Sequence, residues 1–414
     1  MGIFDPVPHP QETMAGVKDN TMKHDRDEAP LASEEDDFMT SALSEKERKS
    51  MATRQQVSDE DVEVAPLPDH LKMQGPGPVL DGMVLHNFDP EARQEAMCCR
   101  MSPDGKMVAV GCQDGRVRLV SATPGAGVVH TLGDEFPKAV SPCCTALRWR
   151  PDSWKNTETM NQLLVARGDE VRRFHSNSGH VMAVIQERGN SVYALATCVD
   201  KPLFASAGAD RHVRVYDEGK SKVACMLKSG GEGGIATHSV DNMGTGHTNS
   251  VYAVAWVPRD PHVLLSGGWD NTIQIWDSRV GHAVRCIFGP HICGDSIDVH
   301  GGHILTGSWR SHNPLQLWDY GTGKLLTNLP VHQHQPESCL LYSAQFGAGK
   351  HHKKVIAGGS GKDPAVYAIR STGEVIGHKS TTSPVHSIDT AVSSENGNLS
   401  VAVCCAKQLL LLQV

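Results

Sequence analysis

The 414-residue sequence predicts an all-β fold, and three observations support this prediction. Glycine is abundant, with 40 residues, whereas aromatic residues make up only 5% of the chain. From about residue 83 onward, short apolar segments recur, and a tight turn follows most of them. A further segment of alternating polar and apolar residues then ends each copy, often in an aromatic residue followed by aspartate. Many short strands separated by closely spaced turns are typical of all-β sandwiches, barrels and propellers.

The clearest copy of this pattern spans residues 246–277. It begins with Gly246-His247, continues through two apolar strands, and ends with a third strand that closes in Trp276-Asp277. His247 and Trp276 are 29 residues apart. The two dipeptides, in this order and at this spacing, resemble the WD-repeat family of β-propellers.

The resemblance implies that four side chains of this copy form a hydrogen-bonded chain. These are His247, Ser266, Asp270 and Trp276. The carboxylate would accept a hydrogen bond from the imidazole, the other ring nitrogen would meet the serine hydroxyl, and the hydroxyl would accept from the indole N–H. We interpret this set as structural, because it satisfies polar groups buried inside a small sheet, and not as the triad of a hydrolase.

Weaker copies surround the clearest one, and together they predict a seven-bladed β-propeller. They occupy residues 96–132, 143–185, 191–227, 294–329, 340–377 and 385–414. Only the copy at 250–288 carries all four hydrogen-bonding residues, so we expect the other six blades to depend more on packing. The last copy has three strands, and we expect residues 83–88 to supply its fourth strand and close the ring. The propeller is therefore predicted over residues 81–414.

Residues 1–80 differ from the predicted propeller in charge. They hold 17 acidic and 8 basic residues, a net charge of −9, and because the whole chain carries −8, the remainder carries about +1. Few large apolar residues are available to offset the entropy of ordering this segment. The sequence therefore predicts a mostly disordered acidic tail.

The predicted partner-binding residues lie in turns between the second and third strands of the blades. Trp269, Trp309, Arg310 and Arg211 occupy such turns, and tryptophan and arginine are enriched in binding hot spots. These turns share one face of a propeller with the loops between blades. We therefore expect this face to bind partners, with other proteins or peptides as the class of ligand.

One further residue gives an alternative function. Arg279 follows the Trp-Asp pair, and residues 264–279 look like the sixteen-residue box of substrate receptors in cullin-RING ubiquitin ligases. The resemblance implies that Arg279 would contact the ligase adaptor, at the end of the blade opposite Trp269. An ordinary repeat followed by one arginine matches the same box, so both interpretations stay open.

Other function classes receive little support from the sequence. No nucleophile–base or carboxylate pair stands at a telling spacing, so we expect no enzyme and no catalytic residue, although a propeller-based enzyme stays as a remote alternative. No cofactor motif is present, and we expect no metal site, because His332, His334, His351 and His352 have no acidic or cysteine partner at ligand spacing. The near-neutral propeller and acidic tail argue against nucleic-acid binding.

The sequence also predicts where the protein works. No apolar segment approaches the length of a membrane helix, and the N-terminus has no basic start or apolar run of a secretory signal. The 12 cysteines include no Cys-x-x-Cys pair, which indicates reduced, buried thiols. We expect an intracellular protein of the cytoplasm or nucleus, with cilia as a further location that the sequence leaves open. Its predicted function is that of a WD-repeat scaffold within a larger complex.

Overall fold

The computed structural model describes residues 77–133, 142–151, 161–228, 246–331, 339–361, 364–393 and 396–414. Within them, 28 strands form seven antiparallel sheets of four strands each. The first strand of every sheet contacts the first strands of both neighbouring sheets, so the sheets close into a ring around a central channel. The all-β fold and the seven blades predicted from the sequence are confirmed. The predicted disordered tail lies, up to residue 76, outside the described residues.

The strands are numbered along the chain, and each blade runs from an inner strand at the channel to an outer strand at the rim. Strand β1 (Gly82–Asn87) precedes the first blade. Blade 1 holds β2 (Ala96–Met101), β3 (Met107–Cys112), β4 (Val117–Ser121) and β5 (Val128–Leu132). Blade 2 holds β6 (Cys144–Trp149), β7 (Gln162–Arg167), β8 (Glu170–His175) and β9 (Val181–Gln186). Blade 3 holds β10 (Val192–Thr197), β11 (Leu203–Gly208), β12 (Val213–Asp217) and β13 (Lys222–Leu227).

The second half of the ring follows the same order. Blade 4 holds β14 (Val251–Trp256), β15 (Val263–Gly268), β16 (Thr272–Asp277) and β17 (His282–Phe288). Blade 5 holds β18 (Ile297–His300), β19 (His303–Gly307), β20 (Leu315–Asp319) and β21 (Leu325–Asn328). Blade 6 holds β22 (Leu340–Phe346), β23 (Lys354–Ser360), β24 (Ala365–Arg370) and β25 (Val375–Ser380). Blade 7 holds β26 (Val385–Val392), β27 (Leu399–Cys405), β28 (Gln408–Gln413) and β1.

The hydrophobic core lies between adjacent blades and explains the sequence pattern. Second strands such as β15 and β27 are buried at every residue, because neighbouring blades cover both of their faces. The outer strand β9 alternates between half-buried and exposed residues, as expected for a strand with one face in water. Between blades 3 and 4, Val215, Leu264 and Trp276 belong to one buried cluster. Alternation is therefore clear in this rim strand and absent from the two buried second strands.

Strand β1 supplies the outer strand of blade 7. It pairs antiparallel with β28, from Gly82 opposite Leu412 to Asn87 opposite Gln408. The amide of Gln408 also donates to Asn87 Oδ1 over 3.0 Å. The first and last strands of the propeller thus share one sheet, and the outer edge of β28 is paired.

The chain joins the propeller slightly earlier than the boundary predicted at residue 81. Val79 forms a parallel bridge with His378 of β25, and the Leu80 amide donates to the His378 carbonyl over 2.8 Å. Leu80 is buried among apolar residues of blades 6 and 7. The composition of residues 1–80 assigned these residues to the tail, whereas the structure shows that the outer strand β25 binds the backbone at Val79 and Leu80.

Candidate functional site on the upper face and in the channel

The upper face of the ring is defined here by the turns between second and third strands and by the loops that lead to the next blade. Trp269, Trp309, Arg310 and Arg211 all lie in such turns, after β15, β19 and β11. The structure therefore brings the four predicted partner-binding residues to one face, in blades 3, 4 and 5. Their exposure separates them into two pairs.

Two of the four predicted contact residues are buried, which corrects their interpretation as partner contacts. Trp269 is only 6% exposed, because its ring stacks on Tyr252 at 5.0 Å and lies near the His291 ring at 6.4 Å. Arg310 is also 6% exposed, and its Nη2 donates to the Asn313 carbonyl over 3.0 Å. Both side chains hold the turns in place and leave little surface for a partner.

The other two residues are accessible. Arg211 is exposed, with a positive φ of 70° that sets its turn. Trp309 is half-buried, and its ring lies 6.5 Å from that of Tyr342. The indole N–H of Trp309 is buried without a hydrogen-bond acceptor in the described part of the chain.

A ring of side chains at the channel mouth was not identified from the sequence. In six inner strands the pairing register shifts near the start of the strand, as in a β-bulge, which re-aims the side chain at that position. The shift falls on the second residue of five of these strands and on the third residue of β22. The residues at these positions are Met97, Thr145, Tyr193, Tyr252, Tyr342 and His386. Aligning the starts of the inner strands across the repeats would have found these residues. Four of the six are aromatic or histidine, which gives the mouth the amphipathic rings common in protein interfaces.

The four residues of the predicted hydrogen-bonded set meet in blade 4. His247 Nδ1 lies 2.8 Å from Asp270 Oδ2, and His247 Nε2 lies 2.6 Å from Ser266 Oγ. The indole of Trp276 donates to the same hydroxyl over 2.7 Å. Burial alone would raise the pKa of Asp270, but hydrogen bonds from His247 and from the Thr248 and Thr272 groups hold it below its usual value.

Blade 3 contains an equivalent set of different chemistry, so the expectation that blades other than blade 4 depend more on packing does not hold for this blade. Glu187 is 4% exposed, and its Oε1 accepts from Ser206 over 2.5 Å and from Tyr216 over 2.8 Å. Its Oε2 accepts from Asn190 over 2.8 Å and lies 3.3 Å from Arg214. Glutamate thus replaces histidine, and tyrosine replaces tryptophan.

The central channel contains an ion-pair cluster that joins three blades. Asp295, in the loop before β18, contacts Arg148 of β6, whose Nη2 donates to Oδ1 over 2.8 Å and to Oδ2 over 3.0 Å. The carboxylate also forms an ion pair with Arg100 of β2. Blade 5 is thereby connected across the channel to blades 1 and 2.

Two further channel carboxylates fasten neighbouring inner strands together. Asp298 Oδ2 accepts the Phe346 amide over 2.8 Å, and Asp389 Oδ2 accepts the Met101 amide over 2.6 Å. Burial raises the pKa of Asp298 to about 6 and that of Asp389 above its usual value, although Arg148 opposes both shifts. Polar groups do converge on the channel, but these carboxylates are engaged by the ring's own amides and guanidinium groups.

Arg279 lies on the opposite, lower face, in the turn between β16 and β17. Its guanidinium turns back on Asp277, with Nη2 2.6 Å from Oδ2 and Nε 2.9 Å from Oδ1. The arginine side chain is 61% exposed. The same contact lowers the pKa of Asp277 to about 2.

Histidines and cysteines form no candidate metal site in the part of the chain that is described. His351 and His352 belong to a short 3-10 turn after β22, whereas His332 and His334 lie outside the described residues. All 12 cysteines are described, and all are free thiols. Burial raises the pKa of several, Cys112 and Cys405 to about 12, so these behave as small apolar residues. No described helix has the length and apolar character needed to span a membrane.

The comparisons with known proteins agree with this geometry. The family model "WD domain, G-beta repeat" matches residues 85–121, 172–217 and 240–277, in the first four blades. WD repeat-containing protein slp1 of Schizosaccharomyces pombe is 25% identical over 197 residues, which cover 46% of this chain and 36% of that protein. Cell division cycle 20.1, cofactor of APC complex, of Arabidopsis thaliana is 23% identical over 251 residues, 60% of this chain and 49% of the relative.

A third relative also matches only part of the chain. Autophagy-related protein 16 of Arabidopsis thaliana is 26% identical over 177 residues, 41% of this chain and 30% of that protein. The chain therefore spans less than half the length of each of these relatives. Their shared feature is the repeat, and it coincides with blades whose strands and hydrogen-bonded sets are described above. The chain therefore carries repeats of the WD domain, G-beta repeat family, and its seven four-stranded blades form a β-propeller.

Proposed function

We propose that this protein is a binding scaffold that holds other proteins or peptides on its upper face within a larger complex. The observation that carries this proposal is the clustering of aromatic and histidine side chains at the upper channel mouth. Tyr193 and Tyr252 stack at 4.8 Å in blades 3 and 4, and Tyr342 lies against His386 at 6.2 Å in blades 6 and 7. All four are half-buried, so each offers part of its ring to a partner.

The accessible residues around this mouth supply the charged part of the surface. Arg211 is exposed at the turn of blade 3, and Arg188 is exposed in the loop that leads into the same blade. Rigid aromatic rings with arginine at their edge are the composition of protein-binding hot spots. The scaffold therefore binds through surface groups whose positions the ring fixes. The free thiols support an intracellular site of action, in the cytoplasm or nucleus.

The test compares upper-face and lower-face variants of the full chain. Arg211→Glu combined with Trp309→Ala changes two accessible upper-face residues and leaves the buried Trp269 and Arg310 intact. We expect co-purifying proteins to fall at least about tenfold, as loss of hot-spot contacts predicts. Arg279→Ala, on the lower face, is the matched control and should retain them. Unchanged co-purification with the double variant would refute the proposal, provided both variants melt like the unmodified protein.

A substrate receptor of a cullin-RING ubiquitin ligase is the second candidate, and the exposure of Arg279 favours it. An adaptor would compete with Asp277 for the guanidinium, because the two residues already form a bidentate pair. Here the same Arg279→Ala variant has the opposite expectation: loss of the adaptor with the blade still folded. If the unmodified protein captures no ligase adaptor, this candidate is excluded.

A further inference from the structure

The two channel arginines share one acceptor across the ring. Arg100 and Arg148 occupy the fifth position of their inner strands, β2 and β6, so their side chains enter the channel at the same level. Both direct an Nη2 group at Asp295. Their side chains are 8% and 18% exposed, respectively, whereas that of Asp295 is 23% exposed.

The ring itself holds these guanidinium groups in place. Arg100 Nη1 donates to the Cys99 carbonyl over 2.7 Å and to the Ile388 carbonyl over 3.1 Å. Arg148 Nη1 donates to the Leu147 carbonyl over 2.9 Å. A guanidinium has five N–H donors, so these bonds leave the Nη2 groups facing the channel. The site would keep its donors in position if the Asp295 carboxylate were absent.

Asp295 reaches the arginines from a loop and not from a strand. Strand β18 begins two residues later, at Ile297, and it is the inner strand that has no register shift where the other six do. Asp295 therefore stands at the channel mouth, where the other blades place Tyr342 or His386. Of the three charged members of the cluster, it lies nearest to the upper face.

The electrostatics of the cluster favour an anion at this position. Burial and the neighbouring Arg100 lower the pKa of Arg148 well below its ordinary value, because two desolvated cations repel each other. Two charge-assisted donors that converge on one carboxylate make a strong site for that group.

We propose that Arg100 and Arg148 form a binding site for a carboxylate side chain of a partner protein, and that Asp295 occupies this site until the partner displaces it. The statement that the carboxylate belongs to a partner protein rests on the proposed function, whereas the existence of a carboxylate site does not. A glutamate or aspartate that enters from the upper face would take the place of Asp295 between the two Nη2 groups. The channel thus selects partners with an acidic residue at the tip of the docking segment.

Chemical rescue tests the site. Asp295→Ala should lower the Tm by at least about 3 °C in sodium chloride, since it removes the carboxylate that both Nη2 groups contact. Sodium acetate at the same ionic strength should restore at least about half of that loss, because acetate replaces the missing carboxylate. The unmodified protein and Asp277→Ala, which loses an exposed carboxylate–guanidinium pair, should show no such preference for acetate.

If acetate restores the Tm of Asp295→Ala no better than chloride does, the carboxylate site is overturned. If sulfate restores the Tm better than acetate does, the site is one for tetrahedral oxyanions and not for carboxylates. If Asp295→Ala folds only in acetate, the proposal is supported. If it fails to fold in both salts, the proposal is overturned, because the site then accepts no free carboxylate.

A peptide identifies the source of the carboxylate. A capped peptide with one glutamate between two tyrosines should bind Asp295→Ala at least about tenfold more tightly than its glutamine counterpart, and more tightly than acetate, as added contacts to the aromatic mouth predict. Binding no tighter than acetate would overturn the protein source. Acetate rescue together with unchanged co-purification by the Arg211→Glu, Trp309→Ala variant would refute the proposed function but not the carboxylate site.

Discussion

Blades 3 and 4 solve the same structural problem with different chemistry. In blade 4 a histidine links Ser266 and Asp270, and an indole completes the chain. In blade 3 a buried glutamate accepts from Ser206 and Tyr216, and Arg214 balances its charge. What the blade requires is an acceptor for a serine hydroxyl, delivered from the loop before the inner strand. The aromatic donor bonds to that hydroxyl in blade 4 and to the acceptor itself in blade 3. The identity of that acceptor is free, provided its charge is matched.

The largest expected effect comes from removing the acceptor in each blade. Glu187→Ala should cost about 3–5 kcal/mol in the free energy of unfolding, because Arg214 loses a buried partner and three donors lose their acceptor. His247→Ala should cost about 2 kcal/mol, since it breaks the contacts with Ser266 and Asp270 but leaves no guanidinium without a partner. Thermal and urea unfolding of both variants would measure the difference.

Glu187→Gln is the matched control for this experiment. It keeps the length and one acceptor oxygen of Glu187 but removes the charge, so it should lie between the unmodified protein and Glu187→Ala. Equal losses for Glu187→Ala and His247→Ala would contradict an ionic set in blade 3.

A smaller effect should separate the two aromatic donors. Trp276→Phe removes a fully buried indole and its hydrogen bond to Ser266, and should cost about 3 kcal/mol through the cavity it leaves. Tyr216→Phe removes only a hydroxyl, with its bond to Glu187, and should cost about 1 kcal/mol. Stability measurements that reverse this order would show that the tyrosine hydroxyl is the main element of its set.

The smallest expected effect is the change in folding stability at acid pH. The pKa values of Asp210 and Asp270 both lie below their usual value in the folded protein, despite burial, because Arg214 and His247 hydrogen-bond to them. The stability that each contributes is present above about pH 4 and is lost as the pH falls through the folded-state pKa. Asp210→Asn and Asp270→Asn should each cost about 1 kcal/mol at pH 7.

The pH dependence of these two deficits checks the assignment. The stability deficits of Asp210→Asn and Asp270→Asn, relative to the unmodified protein, should both become smaller as the pH falls below about 4. The reason is that the unmodified protein then loses the same ionised carboxylates. A deficit that stays constant from neutral to acid pH would show that the carboxylate charge contributes nothing to the blade.

The sequence contained most of the fold but only part of the site. The set in blade 4 could be predicted because its residue types match the family. The set in blade 3 has the same spacing, with Glu187 placed 19 residues before Ser206 and 29 before Tyr216, as His247 is before Ser266 and Trp276. It was missed because glutamate replaces the expected histidine. Spacing alone, applied to any buried acceptor, would have found it.

Other features could not be predicted because they depend on packing between distant segments. Trp269 lies in an upper-face turn, yet Tyr252 and His291 cover it, and no local pattern indicates that burial. Asp295 meets Arg148 at a separation of 147 residues, across a channel that exists only once the ring has closed. Strand counts and turns are local properties, whereas exposure and cross-channel contacts belong to the assembled ring.

Site-specific photo-crosslinking tests the central claim, that partners bind the upper face, most directly. A benzophenone amino acid placed at Arg211 reports the upper face, and the same group at Arg279 reports the lower face, at two exposed arginines in turns of adjacent blades. The account predicts crosslinks to a co-purifying protein from position 211 and few or none from position 279. Crosslinks from position 279 alone would contradict it and would assign the binding surface to the opposite side of the ring.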